Sequence, residues 1–158
     1  MGTAAEAESY VRRVAERMRD MSPILEVVAA NVREKIDDAF QSGTSPEGVV
    51  WRGLSHTTEQ ISPRREGGKP LLDTVRLRRS IATRVGPRSL SFGTNVVYAG
   101  AQHFGSPSNR VFGGPPGPVP ARPFLLVSQD GRTLTPVAFW AEQRDIIVHW
   151  VRTGEVRA

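Results

Sequence analysis

The 158-residue sequence contains no cysteine. This absence excludes disulfide bonds, thiolate metal ligands and a cysteine nucleophile. Histidine is scarce as well, and no two of the three, His56, His103 and His149, lie at a metal-binding helical spacing. Asp145 lies four residues before His149, and because no nucleophile motif accompanies them, a surface ion pair is favoured over a carboxylate-oriented imidazole. No serine lies in a Gly-x-Ser-x-Gly elbow. We therefore expect no catalytic residue, no metal and no cofactor, and predict that the protein is not an enzyme.

Long apolar runs are also missing. No run approaches the ~20 residues that a membrane-spanning helix needs, and the first twenty residues are charged throughout, without the apolar segment of a signal peptide. The 39% hydrophobic and 23% charged residues are ordinary for a soluble globular protein. We expect one domain, large enough to bury a core, that is made in the cytoplasm and has no membrane partner.

Positive charge is present in excess and unevenly placed. The formal net charge is +5, and the segment from Ile61 to Leu90 has eight basic and two acidic residues, a net +6 that leaves the remainder at about −1. The segment could face nucleic acid or an acidic partner, or it could be a solvated loop and strand edge. It contains no aromatic residue for base stacking. The candidate DNA or acidic-partner contacts are Arg64, Arg65, Arg76, Arg78, Arg79, Arg84 and Arg88.

A helical stripe marks the N-terminal quarter, with apolar residues at alternating spacings of three and four. We predict a helix over Ala4–Arg19 and a second helix over Pro23–Gln41, ended by Gly43. Ser22 is suited to the N-cap between them and Pro23 to the first helical position. The second helix is expected to pack on the core. The first is poorer in large side chains, so a contact with a neighbouring subunit stays open for it.

Alternation with a period of two predicts an antiparallel hairpin later in the chain, from Ile81 to Val85 and from Leu90 to Val96. Thr74 is expected to cap a short helix before it, over Val75–Arg79. For the segment Phe124–Val127 we predict either a third strand or a buried turn. A C-terminal helix is expected to begin at Pro136 and to end at Gly154.

The central stretch from Phe92 to Ser128 has ordered ends and an irregular middle. Tyr98 to Phe104 suits one or two helical turns stopped by Gly105, and His103 is expected to fix a turn by hydrogen bonding. Nine of the 16 residues from Gly105 to Pro120 are glycine or proline, too many for a regular element. This loop is either a disordered excursion or an arm that reaches a neighbour with Val111 and Phe112.

Four pieces in order resemble the Mu-like phage virion morphogenesis family, also described as tail completion proteins. They are Ser45-Pro46-Glu47-Gly48 with Trp51, the segment Leu71–Ile81, the run GTNVVYAGAQHFG from Gly93 to Gly105, and PARPFL from Pro120 to Leu125. The resemblance spans roughly Pro23 to Ser128. In one departure, Val75 stands where the family has glycine, so a tight turn expected there is in question.

The resemblance implies a structural virion protein that forms a ring at the head–tail junction or at the head-proximal end of the tail. Such a subunit would act as a tail terminator or in head–tail joining. Its partners would be further copies of itself, with a hexamer favoured over a twelvefold ring, together with the tail tube, the connector or neck proteins, and DNA in the lumen. Candidate subunit or partner contacts are Val111, Phe112, Trp51, Arg122 and Phe124. The alternative is a nucleic-acid-binding protein outside any virion that uses the Arg-rich segment 61–90.

These inferences combine into one α+β architecture. An N-terminal helix or helix pair and a C-terminal helix pack on a small, mainly antiparallel sheet with a long Gly/Pro-rich loop. We expect residues 1–22 to form a helical arm and residues 23–154 a single domain with flexible loops at 43–70 and 105–120. Residues 155–158 would form a tail.

Overall fold

A computed structural model describes residues 3–56, 59, 68–72, 75–108 and 117–156. Within these residues the fold is α+β, as predicted, with five helices and one two-stranded antiparallel sheet. In chain order the elements are α1 (Ala4–Arg19), α2 (Ser22–Ser42), α3 (Arg76–Ser80), β1 (Ala82–Gly86), β2 (Ser89–Gly93), α4 (Ala99–Phe104) and α5 (Val137–Thr153).

Helix α2 runs through the core. Its buried stripe consists of Ile24, Leu25, Val28, Ala29, Val32, Ile36, Ala39 and Phe40. The N-cap is Met21, so the predicted N-cap at Ser22 is wrong by one residue. The carboxylate of Asp20 accepts the backbone N–H of Ser22 at 2.9 Å and its hydroxyl at 2.6 Å, which satisfies a free donor of the first turn. These bonds lower the pKa of Asp20. As predicted, Gly43 ends the helix, with a left-handed backbone (φ +74°).

The predicted hairpin is confirmed, with a turn at Pro87 and Arg88. Its second strand ends at Gly93, however, three residues before the predicted end at Val96. Thr83 lies opposite Phe92 and Val85 opposite Leu90, and these four half-buried side chains form the inner face of the sheet. Phe92 stacks on Trp140 of α5 with ring centroids 6.0 Å apart. The outer face carries small residues around one long side chain, that of Arg84.

The segment after the Gly/Pro-rich loop is a buried turn, and the alternative of a third strand is not realised. Phe124 and Leu126 are fully buried. Val127 pairs with Leu134 in an isolated bridge, and the N–H of Gly131 bonds the carbonyl of Ser128 in the turn between them.

The predicted C-terminal helix is confirmed as α5. Pro136 is its N-cap and not its first residue, so the helix begins at Val137, one residue later than predicted, and Gly154 ends it. Trp150 is buried against Ile24 and Leu25 of α2. Midway along α5 the buried Gln143 accepts a hydrogen bond from Asn31 of α2 at 2.8 Å. Helix α5 therefore packs against α2 through both apolar and polar contacts.

Helix α1 has no buried residue. Its start is fixed by a capping box, in which Thr3 and Glu6 each accept the other's backbone N–H. Near its end, the Arg17 guanidinium donates to the last carbonyls of α5, at distances of 3.0 Å to Val151, 3.1 Å to Arg152 and 3.1 Å to Thr153. A cation is favourable at this negative end of the helix dipole. Helix α1 is thus an arm held to the domain near its C-terminal end.

Helix α3 begins at Arg76, after an N-cap at Val75. The predicted range of Val75–Arg79 was one residue early, and the predicted cap, Thr74, lies outside the described residues. Val75 has φ +49° and ψ +8°, in the left-handed region. The turn that a glycine would make is therefore present, although the residue is a valine.

Candidate interaction surfaces

Exposed arginines follow one another from α3 into the hairpin. Arg76 and Arg79 lie three residues apart and therefore on one side of α3. Arg84 projects from the outer face of β1, and Arg88 lies in the hairpin turn. All four side chains are exposed. We refer to Arg76, Arg79, Arg84 and Arg88 as the basic face.

The structure separates Arg78 from the basic face. Its Nε donates to Asp37 of α2 at 2.8 Å, and both side chains are about two-thirds buried. A charge neutralised in this way is less available to an external anion, so Arg78 serves to hold α3 on α2. Arg64 and Arg65 lie outside the described residues.

The predicted contact residues fall into two groups. Val111 and Phe112 lie outside the described residues, although the base of their loop is closed by paired backbone bonds between Ser106 and Val119 at 2.9 and 2.8 Å. Trp51, Arg122 and Phe124 are buried within the chain. A role of these three in subunit contacts stays a prediction, and their burial means that they would act by shaping the surface above them.

His103 anchors the segment that contains Phe124. It is almost fully buried, and its Nδ1 accepts the backbone N–H groups of Phe124 at 3.1 Å and Leu125 at 3.3 Å. Its ring meets the Phe124 ring edge-on at 5.1 Å. Burial lowers the pKa of His103, an effect that the Val127 backbone partly offsets. The neutral ring fixes this turn by hydrogen bonding, as predicted.

Arg122 joins three separate segments from the interior. Its Nε donates to the carbonyl of Arg52 at 2.9 Å and its Nη2 to that of Gly53 at 2.8 Å. Its Nη1 donates to the side-chain oxygen of Gln102 at 3.2 Å. Nearby, Trp51 Nε1 donates to the carbonyl of Pro123 at 2.9 Å. These bonds connect three of the four sequence pieces that define the resemblance, which gives the pieces a structural role.

An apolar groove lies between the loop after α2 and the turn that follows Arg122. It has a volume of about 360 Å³. Val49 (64% exposed) and Val50 (76%) lie beside the buried Trp51, and Pro123, Leu125 and Val127 line the other side. Glu47 is the single charged residue among the described residues that line the groove. Sequence reasoning missed this groove because Val49 and Val50 are adjacent and show no period.

A second apolar surface is the stripe on α1. Val11 is 63% exposed and Met18 53%, while Val14 is half-buried beside Arg17. Apolar side chains at this helical spacing are normally covered. Within the described residues, this stripe stays open to solvent.

The described residues contain no group of three or more metal-ligating side chains. In the same part of the chain, no helix is both long and apolar enough to cross a membrane.

The sequence is similar to known phage proteins. A model of the phage virion morphogenesis family matches residues 3–136. The chain is similar to Mu-like prophage FluMu G protein 2 of Haemophilus influenzae, with 27% identity over 128 residues that cover 81% of this chain and 82% of that protein. No solved structure matches the chain.

Proposed function

The chain belongs to the phage virion morphogenesis family, and on that premise we propose that it is a ring-forming subunit at the head-proximal end of a phage tail. There it would complete the tail as a terminator or join the tail to the head. Proteins of this kind are structural, so the function lies in surfaces that bind neighbouring subunits. We take sixfold symmetry as the favoured ring.

The observation that carries this proposal is the uncovered helix α1. A sixteen-residue amphipathic helix without a single buried residue has its apolar stripe in water. Isolated helices of this length are marginal in water and gain most of their stability from packing of the apolar face. A subunit that lies next to copies of itself would cover the stripe at every interface.

The basic face supplies the second part of the proposal, a contact with DNA in the lumen of the ring. Its exposed guanidinium groups suit phosphate oxygens. The basic segment has no aromatic residue for base stacking, so the contact would be to the backbone and independent of sequence.

Charge removal tests the DNA contact. The variant carrying Arg76→Gln, Arg79→Gln and Arg84→Gln should bind duplex DNA more weakly. The slope of the logarithm of its binding constant against the logarithm of the salt concentration should be smaller in magnitude by about 3. The matched control neutralises Arg13, Arg132 and Arg152, which are exposed elsewhere, and should bind DNA nearly as the natural chain does. Fluorescence anisotropy over a salt series measures both. Equal slopes for the two variants would contradict the lumen contact.

Deletion of the gene tests the virion role directly, with electron microscopy of the resulting particles. Filled heads apart from tails would place the subunit in head–tail joining, and tails of uncontrolled length would make it a terminator. Normal joined particles would contradict both roles. A monomer that binds DNA at physiological salt would then favour a nucleic-acid-binding protein outside the virion.

A further inference from the structure

Helix α1 and the apolar groove lie beyond opposite ends of α2 along the chain. The arm enters α2 at Ser22, whereas Glu47, Val49 and Val50 follow its last residue, Ser42. The 21 residues of α2 span about 31 Å. Among the described residues, the root of α1 and the groove therefore lie at opposite ends of the central helix along the chain.

The root of the arm is fixed to the domain. Met21 donates its backbone N–H to the carbonyl of Pro87 in the hairpin turn at 2.7 Å. Arg17 is held by the end of α5, and Asp20 bonds the first residue of α2. With both sides of the α1–α2 junction held in this way, the arm cannot reach the groove of its own chain without breaking these contacts.

We propose that α1 of one subunit docks in the groove of the next, so that the arm and the groove form the repeating contact of the ring. This proposal rests on the ring-forming function and names its interface. Val11 and Met18 would lie against Val49, Val50 and Leu125. The contact joins two different surfaces of each chain, and such a head-to-tail contact closes into a ring when its rotation is an integral fraction of a turn.

Charge also matches between the two surfaces. Arg19 follows Met18 in the last turn of α1, and Glu47 is the one charge along the described lining of the groove. Arg19, one of four arginines against three glutamates in α1, and the acidic residue in the groove could pair across the contact. This match favours a second copy of the chain as the occupant of the groove.

Cysteine cross-linking tests the proposal cleanly, because the natural chain has no cysteine. Chains with Val11→Cys alone and chains with Val50→Cys alone are mixed, left to exchange subunits and oxidised. Both positions are exposed, so the substitutions should leave the fold intact. We expect a disulfide-linked dimer that contains one chain of each kind, identified by mass spectrometry.

The control replaces Val50→Cys by Val97→Cys, a 91% exposed position that does not line the groove, and should give little mixed dimer. Two outcomes would overturn the docking proposal. One is equal linkage to both positions, and the other is linkage only between two Val11→Cys chains, which means that α1 packs on α1.

The native mass of the same samples distinguishes failure of the interface from failure of the ring. A ring without the mixed disulfide would overturn this interface and leave the ring-forming function standing. A monomer at every concentration would overturn both.

Charge reversal provides a second test. Arg19→Glu and Glu47→Arg should each weaken self-association about two- to fivefold, as expected for an exposed ion pair. The chain carrying both changes should recover it. Equal weakening without recovery in the double variant would contradict the pairing of these residues.

Discussion

At the scale of single residues, Val75 shows most clearly a backbone conformation that its residue type disfavours. The backbone of this valine takes the left-handed conformation that glycine favours. A β-branched residue is rare at such a φ, and the left-handed region costs an L-residue roughly 1–2 kcal/mol. The fold therefore imposes the turn and the valine is strained.

Val75→Gly should stabilise the protein. Relief of about 1–2 kcal/mol of strain outweighs the roughly 0.5–1 kcal/mol of extra chain entropy that glycine loses on folding. The expected gain is about 0.5–1 kcal/mol in the free energy of unfolding, measured by denaturant titration. Val75→Ala is the control, since alanine keeps the Cβ that makes this φ unfavourable. If the alanine variant is as stable as the glycine variant, the left-handed backbone conformation at residue 75 is not the source of the strain.

His103 is a buried acceptor that must stay neutral. Its Nδ1 faces two backbone N–H donors, those of Phe124 and Leu125. A proton on Nδ1 would place a third donor against them and remove the acceptor. Burial further disfavours the charge and lowers the pKa of this group below its ordinary 6.5.

Stability should therefore fall as the pH drops below about 6.5. The unfolded chain binds a proton at His103 in this range and the folded chain resists it, so the loss is at most about 1.4 kcal/mol per pH unit from this group. Denaturant titrations at a series of pH values from 7.5 to 5.5 measure the free energy of unfolding and its dependence on pH.

The variant His103→Asn offers an oxygen acceptor that does not titrate, and it should show a flatter pH dependence. His149→Gln is the control and should keep the natural slope. A natural slope in His103→Asn would show that the pH dependence arises at another group.

At the scale of elements, local pattern predicted most of the fold. The three-and-four spacing gave α1 its observed bounds and α2 to within one residue at each end, and alternation gave the hairpin. These elements are amphipathic, so the spacing of their apolar residues in the sequence shows whether the period is that of a helix or of a strand. The cap positions at Met21, Val75 and Pro136 were displaced by one residue, because the actual caps depend on backbone geometry that the residue type does not specify.

The attachment of α1 to α5 was not predictable, since it joins Arg17 to backbone carbonyls that any residue could supply. Arg17→Gln should loosen the arm and the last turn of α5, and their amide hydrogens should exchange several-fold faster, with little change in α2. Arg13→Gln is the control, because Arg13 bonds only Ser9 of its own helix among the described contacts. Equal exchange in the two variants would mean that Arg17 does not hold the arm.

At the scale of the whole molecule, the candidate site was only partly predictable. The sequence marked Trp51, Arg122 and Phe124 as special residues, but composition cannot tell a buried connector from an exposed contact. The structure assigns them to the interior, where Arg122 and Trp51 join distant segments. The groove depends on how two loops meet, which no local period encodes. The exposure of the α1 stripe depends on what the rest of the chain leaves uncovered.

We propose that copies of this chain assemble through surfaces that one chain leaves open. The most direct measurement is the mass of the purified protein, without DNA, by native mass spectrometry across a concentration series. We predict one closed assembly of several 17.3 kDa chains, with six favoured, that is lost when residues 1–20 are removed while the remaining chain stays folded. A natural chain that remains a monomer at every concentration would contradict the claim.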